Sequence, residues 1–197
     1  MGRSSKGSSF ERELCKALDK WWTGSEDEAV FWRSAQSGGR ATTRSAKGKH
    51  THGSYGDISA VSPIGEPLVD VFTLELKRGY TKHHIAELFD LSDYHRENQN
   101  TKQFEEFLNQ ASNSGEQAGS LSWMLVHKRD GKQIMVYFPW WVFRRLQQLG
   151  AFKPAPVPLM RFRCFKKGGG EMDLAAMRFQ SFLDGTCRDH IEQLSND

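Results

Sequence analysis

The stretch Val69 to Lys77 (VDVFTLELK) constrains the fold more than any other part of the chain. β-Branched and aromatic residues dominate it, as in a central strand, yet Glu75 and Lys77 interrupt the apolar run. Residues i and i+2 of a strand point to one face, so Glu75 and Lys77 project together while Leu76 packs behind. Charges on a strand whose apolar residues are Val69, Val71, Phe72, Leu74 and Leu76 are costly unless they are paired or bound to metal. A Glu-x-Lys triplet is common as a surface ion pair, and the apolar surroundings weigh against that reading here.

The elements around this strand follow from periodicity. Phe10, Leu14, Ala17, Leu18 and Trp21 recur at helical spacing, and Ser8 with Glu11 three residues later reads as a capping box. Ala29 to Arg33 is a short strand candidate. Gly38 to Tyr55 is small, polar and basic, a long loop of the kind that is usually functional or disordered. Asp57 to Val61 reads as a strand and Pro63 to Pro67 as a turn. Helical patterns return at His84 to Arg96 and Gln103 to Ala111. Leu121 to His127 and Gln133 to Phe138 read as paired strands around Arg129-Asp130-Gly131, a hairpin signal. Trp140 to Leu149 reads as a helix and Leu159 to Phe165 as a late strand. This order predicts an α/β fold, with a central mixed sheet flanked by helices. A single domain over 1–197 is expected, its core at about 8–138 and a basic C-terminal extension at about 139–197.

Charge is segregated along the chain. Ala29 to Gly56 holds five bases (Arg33, Arg40, Arg44, Lys47, Lys49) and no acid. Gly131 to Gly170 holds eight bases and no acid, whereas acids outnumber bases seven to three between Thr81 and Gly119. Such segregation suits a protein with one face against a polyanion, and the five bases of the first segment are candidates for clamping DNA phosphates. No stretch approaches the ~20 apolar residues of a membrane span, and the basic Ser/Gly-rich start lacks the apolar core of a secretory signal. Three scattered cysteines (Cys15, Cys164, Cys187) argue for reduced thiols in a cytoplasmic protein.

A return of the chain between Val61 and Val69 can bring Asp57 beside Glu75. Asp57, Glu75 and the Leu76 carbonyl would then offer hard oxygen ligands suited to Mg²⁺ or Mn²⁺. Such an ion lowers the pKa of bound water and polarises a phosphate. Lys77 stands beside it to position a water or to neutralise developing charge. These are the parts needed to hydrolyse a phosphodiester.

With these residues in view the sequence resembles the PD-(D/E)xK nuclease superfamily, and within it the archaeal-type Holliday junction resolvases. The matching motifs are Lys6-Gly7 with Glu11-Arg12-Glu13-Leu14, Arg33 with Ser34 to Gly38, Asp57-Ile58, and Glu75-Leu76-Lys77, spanning about residues 6 to 78. The resemblance implies a restriction-endonuclease-like αβββαβ core and a metal-dependent DNA endonuclease. It also implies a homodimer acting on double-stranded or branched DNA, in the host cytoplasm if phage-encoded. It places Glu11 at the metal site. Glu13 lies about 200° round the helix and cannot face that site as well. Ser37 matches a loop serine that contributes to cleavage in some resolvases. Gln110 matches a position where relatives hold a glutamine near the site, and reads equally as a solvated helix residue. Two departures stand out: Gly56 rather than Pro precedes Asp57, and the Gly38 to Tyr55 loop is longer than in compact resolvases. A different nuclease of this fold, acting in restriction, repair or phage DNA processing, and a non-catalytic DNA-binding protein remain as alternatives. His50 and His52, with His83 and His84, invite a zinc reading but lack further ligands at the right spacing. Trp21-Trp22 and Trp140-Trp141 read as core or interface rather than base-stacking platforms.

Overall fold

The computed structural model describes residues 3–25, 27–34, 55–88, 103–153, 159–166 and 169–196. Ser37, Arg40, Arg44, Lys47, Lys49, His50 and His52 lie outside the described residues, as does most of the helix expected at His84 to Arg96.

Helix α1 (Arg3–Thr23) leads to strands β1 (Phe31–Arg33) and β2 (Ile58–Ala60), which pair antiparallel. A single 3-10 turn (Pro63–Gly65) and helix α2 (Glu66–Val71) precede β3 (Phe72–Arg78). Then come a 3-10 turn (Ile85–Leu88), α3 (Gln103–Ala118), β4 (Ser122–Lys128) and β5 (Ile134–Pro139). Helix α4 (Trp140–Gln148), β6 (Leu159–Phe165), β7 (Glu171–Arg178), α5 (Phe179–Gly185) and α6 (Arg188–Ser195) follow. The main sheet has the order β3-β4-β5-β7-β6. β3 and β4 run parallel, joined by α3 as a crossover, and the other pairs are antiparallel. The mixed α/β architecture, a mixed sheet flanked by helices, is as expected, whereas α2 interrupts the expected run of three strands.

Alternation along the strands divides the interior in two. Phe72, Leu74 and Leu76 of β3, with Met124, Val126, Val136, Phe138, Ala175 and Met177, face α1, α2, α4, α5 and α6. On the opposite face Leu125, Tyr137, Leu174 and Ala176 pack against Phe104, Phe107, Leu108 and Ala111 of α3. A one-residue slip of β3 would turn Glu75 and Lys77 into the first core, so its register is strongly specified. On α1, Phe10, Leu14, Leu18 and Trp22 are buried at four-residue spacing, each worth about 2 kcal/mol of transfer from water. The Trp22 indole donates to the Ile64 carbonyl at 2.7 Å, and Trp21 to the carbonyls of Leu183 and Thr186. Both therefore anchor core, whereas Trp141 is exposed.

Four sequence expectations are corrected. Val69 to Val71 is helical: Pro67 sits in the first turn of α2 and Glu66 starts it, where a missing amide and an acidic side chain suit a helix start. The strand therefore begins only at Phe72. The helix expected to end at Ala111 runs on to Ala118. The supposed basic extension supplies β6 and β7, and β7 sits inside the sheet between β5 and β6. Ser8 is no N-cap, because α1 begins at Arg3. Ser8 and Glu11 are one turn apart on a shared helix face, and both receive Arg33.

Candidate active site

β3 is an edge strand of the main sheet, and the chain entering β2 meets its free edge. The Asp57 amide donates to the Leu74 carbonyl at 2.7 Å, and the Leu76 amide donates to Asp57 Oδ2 at 2.7 Å. In a strand the amide and carbonyl of one residue point to the same edge. The Leu76 carbonyl is therefore directed to the edge where the Asp57 carboxylate lies. Gly56 makes this approach possible: its φ is +77°, and a Cβ there would stand 2.7 Å from the Leu74 oxygen. Proline, locked near −65°, cannot adopt that φ, which accounts for the glycine. Ser34 holds the turn from the other side, its hydroxyl donating to the Gly56 carbonyl at 2.5 Å and its amide to the Asp57 carbonyl at 2.9 Å.

Glu75 and Lys77 project from β3 toward α3, as the strand alternation predicts. Lys77 Nζ donates to Glu75 Oε1 at 2.6 Å, and Gln110 Nε2 donates to the same oxygen at 2.7 Å. Glu75 is only 4% exposed, whereas Gln110 is exposed, so the pair opens to solvent on the Gln110 side. The Lys77 ammonium stands over the Phe107 ring, 5.5 Å from its centroid. The glutamine that sequence left open thus reaches the site.

Asp57 carries the clearest electrostatic signature. Burial and the neighbouring Glu75 push its carboxyl up to about 7, with Glu11 adding to the rise, while the Leu76 amide and Lys77 oppose it. The rise at Asp57 shows that its negative charge beside Glu75 lacks a full counter-charge, and Lys77 is bonded to Glu75 alone. Among the described residues no group of three or more His, Cys, Asp or Glu side chains gathers into a metal cluster. The hard donors are Asp57, Glu75 and the Leu76 carbonyl. That set fits a divalent cation which keeps water and phosphate in its remaining positions.

Glu11 lies near enough to influence Asp57, but its carboxylate accepts from Arg33 Nε. Arg33 also donates to the Ser8 hydroxyl at 3.2 Å. Glu13 points elsewhere, accepting from Lys128 at 2.6 Å with Arg78 at 3.9 Å. Glu11 and Glu13 thus diverge as helix geometry requires.

Some structural residues gave no legible signal. Asp19, buried within α1, accepts from the Val30 and Phe31 amides at 2.9 and 2.8 Å and fastens β1 to the helix. An acidic helix residue reads from sequence as solvent-facing. His127 is 2% exposed and lies beside Lys77 in the β3–β4 register, between Phe104 and Phe107. Burial first, then Arg129, His84 and His83, push it down to about 4. His83 pairs with Glu87 at 2.8 Å. Cys15, Cys164 and Cys187 are free thiols. Among the described residues no helix is long and apolar enough to cross a membrane.

No curated protein and no solved structure gives a match. The family described as "Phage putative PDDEXK endonuclease" matches residues 2–192. That span includes Asp57, the Glu75-Leu76-Lys77 triplet and the strands beyond them, and the chain belongs to the phage PDDEXK endonuclease family.

Proposed function

We propose that the chain is a metal-dependent DNA endonuclease that hydrolyses phosphodiester bonds in branched or otherwise structured duplex DNA. The observation that carries this reading is half-buried Asp57 at the free edge of β3 within electrostatic reach of buried Glu75, to which Lys77 is bonded. Asp57, Glu75 and the Leu76 carbonyl would hold Mg²⁺ or Mn²⁺, with Glu11 supporting the ion or its water. Bound there, the ion supplies a water of lowered pKa and polarises the phosphate.

The chain's own groups do the rest. Gln110 and Lys77 fix the Glu75 carboxylate from two directions. Lys77 positions the attacking water or offsets charge developing on phosphorus. Ser37 assists cleavage. Arg33, Arg40, Arg44, Lys47 and Lys49 hold the DNA backbone. A homodimer acting in the host cytoplasm would present two such sites to two strands.

The test is a panel of linear, flapped and four-way DNA substrates incubated with purified protein and Mg²⁺. Nicking of the four-way junction is expected, lost in Asp57→Ala and Lys77→Ala while DNA binding persists. Undiminished cleavage by both variants would refute the assignment. The family's phage description favours a second reading, a nuclease for phage DNA processing, and preferential cutting of the linear or flapped member would select it.

A further inference from the structure

β3 ends at Arg78, and the chain turns at once. Gly79 adopts a φ of +85°, with its amide on the Lys128 carbonyl at 3.2 Å. The next residue, Tyr80, is 41% exposed. Its ring is not loose, however. It stands edge-on to Phe107, with centroids 4.8 Å apart and planes at 64°. Phe107 is buried, and the same ring carries the Lys77 ammonium at 5.5 Å. Lys77 and Tyr80 thus share one rigid support, and a strand held with its phosphate at Lys77 passes close to the Tyr80 ring.

The surroundings fit a nucleic-acid strand rather than a protein neighbour. His83 flanks the ring with centroids 6.4 Å apart, and Glu87 fixes that imidazole in turn. Lys77 is a cation on this side of β3, whereas Arg78 and Lys128 face α1, over the Phe10 ring and against Glu13. Single-stranded nucleic acid is held in this way, by a cation on the backbone next to an aromatic face on which a base stacks. A paired base inside a duplex has both faces covered by its neighbours. A base at a junction, bulge or flap offers one.

We propose that Tyr80 is a specificity-determining residue, an aromatic platform that stacks an unpaired base of the DNA strand next to the phosphate being cleaved. This rests on the nuclease reading above and narrows its substrate class to DNA with an unstacked nucleotide at the cleavage point. The plain alternative is a tyrosine that merely covers Phe107.

The experiment compares wild type, Tyr80→Phe and Tyr80→Leu on two substrates, a fully paired duplex and a duplex with a single-base bulge. The bulged base is 2-aminopurine. With divalent metal removed, emission of the bound bulge should be lower for wild type and Tyr80→Phe than for Tyr80→Leu, because only an aromatic ring stacks on the base. With Mg²⁺, the kcat/KM ratio of bulged over paired substrate should fall about tenfold or more in Tyr80→Leu and stay near wild type in Tyr80→Phe. An unchanged melting temperature for Tyr80→Leu shows that its fold is intact. Equal emission and an unchanged ratio in Tyr80→Leu would overturn the platform even where DNA is cut. An emission difference without any Mg²⁺-dependent cleavage would uphold the platform and remove the nuclease reading.

Discussion

The Leu76 amide donates to the Asp57 carboxylate at 2.7 Å, and this bond ties the β2 entry to the edge of β3. It also fixes the carboxylate beside Glu75, which with burial pushes Asp57 up to about 7. A carboxyl raised above its unfolded value stabilises the fold at low pH, and that contribution is lost as pH rises from about 4 through 7. The metal-free protein should therefore melt at a lower temperature at pH 8 than at pH 5.5. Asp57→Asn should reduce that difference and raise the pH 8 melting temperature by on the order of 5 °C. Adding Mg²⁺ at pH 8 should stabilise the wild type more than the variant. Thermal melts across pH, with and without Mg²⁺, measure all three.

Gly56 precedes that aspartate with a φ of +77° and no room for a Cβ beside the Leu74 carbonyl. Gly56→Ala should cost about 1–3 kcal/mol from backbone strain and displace Asp57, so nuclease activity should fall more steeply than stability. Gly56→Pro should be worse, since its φ cannot become positive. Denaturant titration and a cleavage assay on the same preparations separate the two effects.

Gln110 offers a milder probe, because it bonds Glu75 from an exposed position. Hydrogen bonds to charged groups are worth about 1.5–3 kcal/mol, so Gln110→Ala should lower kcat by about tenfold with little change in melting temperature. Gln110→Glu, which places a third acid against the pair, should lose more and should recover partly at higher Mg²⁺. Steady-state kinetics against metal concentration tests this.

His127 predicts an opposite pH limb. Its folded value is pushed down from 6.5 to about 4, so the unfolded chain binds the extra proton first on acidification. The stability it contributes is complete above about 6.5 and is lost as pH falls toward 4. His127→Leu should flatten that acid loss by on the order of 2 kcal/mol and be near neutral at pH 8, since among the described residues the imidazole Nε2 has no hydrogen-bond partner. Melts between pH 4 and 8 would show it, and an unchanged acid limb would contradict the assignment.

Much of the site was legible because it lies where sequence patterns are strongest. Period-two alternation fixed Glu75 and Lys77 to one face, and a charge on an apolar strand demanded a partner. Asp57 was legible from its place at a strand start. What was missed has physical causes. Val69 to Val71 is β-branched and read as strand, but Pro67 and Glu66 open a helix there. Glu171 to Arg178 (EMDLAAMR) is built largely of helix formers, and pairing on both sides with β5 and β6 overrides that preference. Asp19 gave no signal because its amide partners, Val30 and Phe31, are tertiary. The Arg33–Glu11 pair was likewise invisible, although each residue was singled out by its motif.

The placement of β7 between β5 and β6 has a consequence for how the molecule is made. Ribosomes deliver β5 and then β6 before residue 171; β5 can pair with β4 at once, but its other edge, and the whole of β6, stay without their sheet partner until β7 arrives. A nascent chain halted at that stage holds the Asp57, Glu75 and Lys77 side chains but bares two strand edges, which are templates for aggregation. The edge of β3 that carries the proposed site is thus synthesised early, and the opposite side of the sheet closes only with the last quarter of the sequence.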